Sequence, residues 1–282
     1  MGPGNSLFNI SGKVRVYVRY SKVHTGGSTF FGLRKDDLDQ LEGFPSFIAF
    51  LWEGQKQPLL VPFEKFTEVF RSLEPARDGQ YKAHVYTSTE GTDPSIVRAG
   101  RFGVDSHYGW DELRNAMQEH KNLAVPKELS HSQLQTLVGA IGKLTGHRIY
   151  IPVNDRNILD WNIVDPFEIT SDVPAIGQRL PASSLSQIDV LWINPTRNLL
   201  AAAFEIEYST PIYSGLLRFN DVHLDFRLPR AAIVADIDRK DAFMRQINRR
   251  TFRESGLDEV CLFYSYSDVY GWYKRLSGKQ HV

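Results

Sequence analysis

The chain has 282 residues, 42% of them hydrophobic and 12% aromatic, enough apolar material for a sizeable core and for one or two domains; this excludes a disordered chain. No apolar run approaches the ~20 residues of a membrane span, and no basic-then-apolar leader opens the sequence, so the expectation is a cytoplasmic protein with no membrane partner and no organic cofactor. The 33 basic residues equal the 33 acidic ones, which by itself argues against a nucleic-acid partner, and the single Cys261, inside VCLFY, excludes a disulfide framework or cysteine zinc cluster and reads as a buried thiol.

In chain order, Lys13 to Tyr20 alternates apolar and polar residues as a half-buried strand does. Phe47 to Trp52 and Pro58 to Val61 flank a turn and predict a hairpin. Phe63, Phe66 and Phe70 form a helical stripe over 63–73, and strands are expected at Tyr81 to Thr87 and Ser95 to Val104, followed by a helix from Asp111 to His120. The pattern breaks near residue 122, before Pro126, so the expected organisation is an N-terminal accessory domain over 1–122 and a second domain over 123–282.

Past the break, Leu134, Leu137, Val138, Ile141 and Leu144 share a helix face, with Ser130 as N-cap and Gly146 at the end. Strands follow at Arg148 to Val153, Ile188 to Ile193 and Leu199 to Tyr208, the last two joined by the turn NPTRN. A helix at Ile212 to Val222, a buried strand at Ala231 to Ala235, a long basic helix from Arg239 to Glu254, a strand at Val260 to Tyr266 and a closing helix complete the order. That order describes an α/β (α+β) domain with a mixed sheet.

Asp189, Glu205 and Glu207 lie inside otherwise apolar strands, an unusual place for charge. Glu205 and Glu207, two apart, share a face, and Phe204 and Ile206 take the other. If NPTRN closes a hairpin with Ile193 opposite Leu199, Asp189 falls opposite Ala203 and diagonal to Glu205, so all three carboxylates converge. Converging carboxylates repel unless a cation sits among them, and an all-oxygen set suits Mg²⁺. The competing reading is a solvated sheet face, or pairing with Arg148 and Arg179.

Asp189, a hairpin and the triplet Glu205-Ile206-Glu207, with a helix before and after, resemble the PD-(D/E)xK nuclease superfamily, the fold of many type II restriction endonucleases, in its E-x-E variant. The resemblance spans roughly 125–282. Glutamate stands where the usual lysine would be, and Ile188 where the motif's proline would be. It implies a restriction-endonuclease-like mixed sheet flanked by helices, and a Mg²⁺-dependent DNA endonuclease in which Mn²⁺ substitutes. Asp189, Glu205 and the Ile206 carbonyl would hold the metal, with Glu207 as a further metal ligand or general base. Glu128 would offer a fourth carboxylate from the first helix, or would be a helix-start charge favoured by the macrodipole. Ser214 and Gly215 would let the helix start approach a phosphate, with Arg218 one turn on; the competing role for Arg218 is a salt bridge to Asp221 or Asp225. His131 and Gln135, four apart, share a face toward the cleft.

Charge is unevenly distributed. Arg239, Lys240, Arg245, Arg249, Arg250 and Arg253 crowd one segment, a DNA-backbone contact or a solvated face. Arg15, Arg19 and Lys22 on or near the first strand, beside the loop His24-Thr-Gly-Gly-Ser-Thr, are compatible with DNA recognition by the N-terminal domain or with an ordinary accessory module. The leading expectation is a type II restriction enzyme that cuts double-stranded DNA at a specific site as a homodimer. The alternatives are another PD-(D/E)xK nuclease for defence, repair or RNA cutting, or a non-catalytic DNA-binding protein with the nuclease fold.

Overall fold

A computed structural model describes residues 6–24, 27–88, 91–97, 100–122, 124–126, 128–173 and 185–278. The chain divides into two compact units, Met1–Leu123 and Ala124–Val282.

In the first unit the alternating segment becomes β2 (Val14–Ser21), paired antiparallel with β1 (Leu7–Ile10). Next in the chain come β3 (Val23–His24), β4 (Ser28–Arg34) and α1 (Lys35–Asp39). The expected hairpin is present as β5 (Ser46–Trp52) and β6 (Leu59–Pro62), with β5 parallel to β2, so the sheet β1-β2-β5-β6 is mixed. The phenylalanine stripe is not one helix: Phe63–Lys65 forms a 3-10 turn, and α2 is Thr67–Ser72. Phe63, Phe66 and Phe70 nonetheless all enter the core, because contact with the core decides where rings go and the exact helix type does not. After α2 come β7 (Gln80–Ser88), β8 (Gly91–Ile96) and β9 (Gly100–Arg101), which with β3 and β4 form an antiparallel sheet in the order β3-β4-β7-β8-β9. The expected strand at 95–104 is therefore corrected: its first residues end β8, and 98–99 lie outside the described residues.

The two sheets share a core of Tyr17, Ile48 and Phe50 from one and Phe31, Leu33, Ala83 and Val85 from the other. The opposite face of the mixed sheet, with Val14, Val16, Phe47 and Ala49, is covered by Leu113 of α3 (Asp111–Asn122).

The second unit opens on α4 (His131–Leu144), capped by a full capping box between Ser130 and Gln133. The expected strands appear as β10 (Arg148–Tyr150), β11 (Val190–Ile193) and β12 (Leu200–Glu207), an antiparallel meander. α5 (Ile212–Asp225) follows and returns the chain to β13 (Ala231–Ala235), parallel to β12. The long basic helix is not continuous. It breaks into a 3-10 turn at Ile237–Arg239, α6 (Lys240–Ile247), α7 (Arg250–Ser255) and α8 (Leu257–Val260), with Gly256 at φ +81° ending α7. β14 (Cys261–Ser265) pairs parallel with β13, and α9 (Tyr266–Ser277) closes the unit, giving the sheet order β10-β11-β12-β13-β14.

Alternation sorts this sheet's two faces. Leu191, Ile193, Ala203 and Ile233 pack with Ile212, Leu216 and Phe219 of α5. On the other face Trp192 meets Phe204 and Trp272 of α9, and its indole N–H donates to the Val138 carbonyl of α4. Cys261 is buried, and burial pushes its thiol pKa up, which makes it inert. Among the described residues no helix is long and apolar enough to cross a membrane.

Candidate active site

The register of the β11–β12 hairpin decides where the acids meet. Val190 faces Phe204 and Trp192 faces Ala202, whereas Ile193 faces Leu200, with an irregularity between Trp192 and Ile193. The expected register, Ile193 opposite Leu199, is thus corrected. The actual ladder is displaced by two residues at Val190, so its continuation brings Asp189 level with Glu205 rather than Ala203. A displacement of two keeps side chains on their faces, whereas one would invert them.

Glu205 and Glu207 therefore both point toward α5, and both are buried, Glu205 with 0% exposure. Gly215 explains how a carboxylate fits against a helix: a Cβ there would stand 2.5 Å from Glu207 Oε1 and 3.3 Å from the Glu205 Cβ. The clearance serves Glu207 directly. One turn on, Arg218 donates through Nε and Nη2 to Glu205 Oε1 and Oε2 at 2.7 and 2.6 Å, a bidentate pair, and Nη2 stands 3.9 Å from Glu207 Oε1. Arg218 is thus paired with the β12 acids rather than with Asp221 or Asp225.

Asp189 is held differently. Its Oδ2 accepts from the Ile206 N–H at 2.7 Å, and its Oδ1 lies 3.9 Å from His131 Nε2. Gln135, also on α4, donates to the Asp189 carbonyl at 2.9 Å and to Asp155 Oδ2 at 3.0 Å. His131 and Gln135 do reach the same acid. Thr210 donates to Glu207 Oε2, and Arg239 donates to the carbonyls of Glu207, Tyr208 and Thr210, fastening the chain where it leaves β12.

The electrostatics follow from burial. Loss of solvent pushes the Glu205 carboxyl up to about 8; Arg218 opposes this, and Asp189 and Glu207 reinforce it. Asp189 is also raised, chiefly by burial, against the Ile206 N–H and the nearby cations. The Arg218 guanidinium is raised, chiefly by its hydrogen bonds to Glu205.

Whether a metal fits is answered by the donors. All are hard oxygens, three acids face one guanidinium, and Glu207 Oε1 is buried without a hydrogen-bond partner. That chemistry suits a divalent cation. The full convergence expected of the three acids is corrected, however: among the described residues no three His, Cys, Asp or Glu side chains form a metal-holding group as placed. The reason is that each carboxylate is held by a different protein donor: Arg218, Ile206 N–H or Thr210.

The family described as the type II restriction enzyme NmeDI C-terminal domain matches residues 112–280. The chain belongs to this family. The type II restriction enzyme NmeDI of Neisseria meningitidis serogroup C is 28% identical over 145 residues, which are 48% of this chain and 40% of that enzyme. No solved structure matches.

The remaining expected residues of this NmeDI-family chain are placed as follows. Glu128 precedes the Ser130 cap, is exposed, and lines a cavity of about 330 Å³ with Tyr208, Asp236, Ser265 and Tyr266, at the end of the sheet where β12–β14 finish. Ser214 stands on the first turn of α5, half-buried, its N–H bonded to the Pro211 carbonyl. Arg245, Arg249 and Arg250 are exposed; Arg249 lies 5.0 Å over the Tyr213 ring and Arg250 pairs with Glu254. Arg239, counted with the docking charges, is instead the clamp on β12. Arg15 lies 3.5 Å over the Phe44 ring, Arg19 is half-buried over Tyr17, and Lys22 is exposed. Arg148 bonds Asn198 and Thr170 and stands 3.8 Å from Asp172, not against Asp189, Glu205 or Glu207; Arg179 and residues 25–26 of the glycine-rich loop lie outside the described residues. Sequence reasoning missed Thr210 and the link from Gln135 to Asp155; Thr210's place three residues after Glu207 was the available signal.

Proposed function

We propose that this chain is a metal-dependent DNA endonuclease of the restriction type, built on the PD-(D/E)xK plan in its E-x-E form. The observation that carries the reading is the burial of Glu205 and Glu207 together at the end of β12 with one guanidinium between them, in a chain of the NmeDI family. Burying two carboxylates beside a single cation is costly; in the metal-free protein a proton held on Glu205 offsets that cost, and a bound divalent cation would take the proton's place.

Asp189, Glu205 and the Ile206 carbonyl would hold Mg²⁺, with Mn²⁺ as a substitute. When bound, the ion supplies charge neutralisation at the phosphate and a water of lowered pKa. Glu207, in the place of the usual lysine, accepts the proton of the attacking water. Arg218, held beside both acids, would bring to the scissile phosphate the positive charge that lysine would have brought. His131 and Gln135 orient Asp189. Ser214, Arg245, Arg249 and Arg250 contact the backbone, and Glu128 borders the cleft. The substrate is double-stranded DNA, and cutting both strands calls for a homodimer with one centre in each protomer.

The test is incubation with plasmid and genomic DNA, methylated and unmethylated, in Mg²⁺, Mn²⁺ or EDTA. Discrete fragments that need metal and vanish in Asp189→Ala and Glu205→Ala support the reading. Intact DNA under every metal condition, or wild-type cutting by Asp189→Ala, refutes it.

A further inference from the structure

The first unit carries a surface that no step above uses. In β4 and β7 the inward residues Phe31, Leu33, Tyr81, Ala83 and Val85 are buried in the core. The opposite face presents Phe30, Lys82, His84 and Tyr86. Register builds a pattern from them. Phe30 faces His84, His84 faces Ser95, and Ser95 faces Arg101, a row across four strands; Lys82, His84 and Tyr86 run along β7.

These side chains touch. The Phe30 and His84 rings are 5.1 Å apart between centroids; His84 and Tyr86 are 5.9 Å apart and within 21° of parallel. Lys82 Nζ stands 5.7 Å from the Phe30 centroid, and the Arg101 guanidinium 4.9 Å from that of Tyr86. Three rings in contact are thus flanked by a cation at each end, on a face where Phe30 keeps 40% exposure. Lys82 also pairs with Asp78, an exposed bridge four residues away, which solvent screening weakens and another anion readily exchanges.

We propose that this sheet face docks duplex DNA: Lys82 and Arg101 meet backbone phosphates, and Phe30, His84 and Tyr86 pack against the sugars between them. An apolar protein partner would leave the cations desolvated, and an acidic one would leave the rings idle; the DNA backbone offers anionic phosphates and apolar sugar faces side by side. The inference rests on the reading that the chain acts on DNA, and it moves the N-terminal contact from Arg19 on β2 and Lys22 just after it to the sheet of β3, β4, β7, β8 and β9.

The experiment is fluorescence anisotropy of full-length protein on a labelled random-sequence duplex in EDTA, across a salt series, beside plasmid cleavage in Mg²⁺. Losing two phosphate contacts in Lys82→Ala/Arg101→Ala should flatten the slope of log K against log salt by about 1.8 and weaken binding about 60-fold near 0.1 M salt. Phe30→Ala/Tyr86→Ala should weaken binding and leave the slope unchanged. Wild-type affinity and slope in Lys82→Ala/Arg101→Ala, with an unchanged circular dichroism spectrum, overturns the docking surface while leaving the nuclease reading intact. Wild-type protein that binds the duplex through these residues but never cuts keeps the surface and overturns the nuclease reading. Wild-type protein that does not bind the duplex overturns the surface.

Discussion

Replacing Glu205 by glutamine probes the central electrostatic argument. Burial lifts the Glu205 carboxyl from an ordinary 4.5 to about 8, so between those values the folded protein keeps a proton that the unfolded chain releases. The stability tied to that proton is fully present below pH 4.5 and is lost as pH rises through 8. At about 1.36 kcal/mol per pH unit the ceiling is about 5 kcal/mol, with the opposing pull of Arg218 already included, and it is lowered by any relaxation of the site. Asp189, also raised by burial, adds to the same downward trend. Metal-free wild-type protein should therefore lose resistance to urea from pH 5 to 8.5. Glu205→Gln, which holds no titratable proton there, should show a flatter profile and exceed the wild type at pH 8.5. The assay is urea unfolding followed by near-ultraviolet circular dichroism at each pH, in EDTA. Parallel profiles for the two proteins, or a wild type that gains stability toward pH 8, would refute the reasoning. The same proton opposes metal loading, so at low Mg²⁺ wild-type cleavage should rise toward pH 8, and saturating Mg²⁺ should move that rise to lower pH.

Gly215→Ala should be costly although alanine favours helix: its Cβ would meet Glu207 Oε1 at 2.5 Å, so about 1–3 kcal/mol of overpacking should appear in urea unfolding, with loss of cleavage. A protein of wild-type stability and activity would show that Glu207 does not rest against α5. Arg250→Ala should leave stability within about 0.5 kcal/mol, because its side chain is 88% exposed and pairs only across the surface with Glu254. If Arg250 meets a phosphate, the salt slope of DNA binding should fall by about 0.9; an unchanged slope removes it from the interface.

The second unit was legible because each element repeats its signal at several levels. Ser130 and Gln133 cap α4 as their spacing predicts, and β12 hides Phe204 on one face and Glu205 and Glu207 on the other, as period two requires. The first unit was less legible. β4, Ser28–Arg34, carries Gly32 and polar ends, so its alternation is weak in sequence, and its place is set by pairing with β7 across a long separation. The basic segment at 239–254 failed as one helix because composition measures charge, whereas the break depends on Phe243, Ile247 and Phe252 all reaching the core, which requires the chain to turn.

In the site, which residues share a face was readable and which donor holds each acid was not. Face sharing depends on parity alone, and parity survived a two-residue displacement of the β11–β12 ladder. The partner of Glu205 depends on where α5 crosses the sheet, a tertiary fact. Once α5 is in place, three positions become one device. Glutamate at 207, which on the proposed plan would stand in the place of lysine, adds a buried carboxylate; Gly215 clears the space for it, and Arg218, three residues on along α5, brings a guanidinium to both acids. Each would be hard to explain alone. A glycine near the start of a 14-residue helix gives up stability, and an arginine in bidentate contact with a fully buried acid leaves its carboxylate costly without it. On the proposed reading, the neighbouring helix would compensate the triplet's departure from lysine, and α5 together with Glu205-Ile206-Glu207 supports that reading better than the triplet alone.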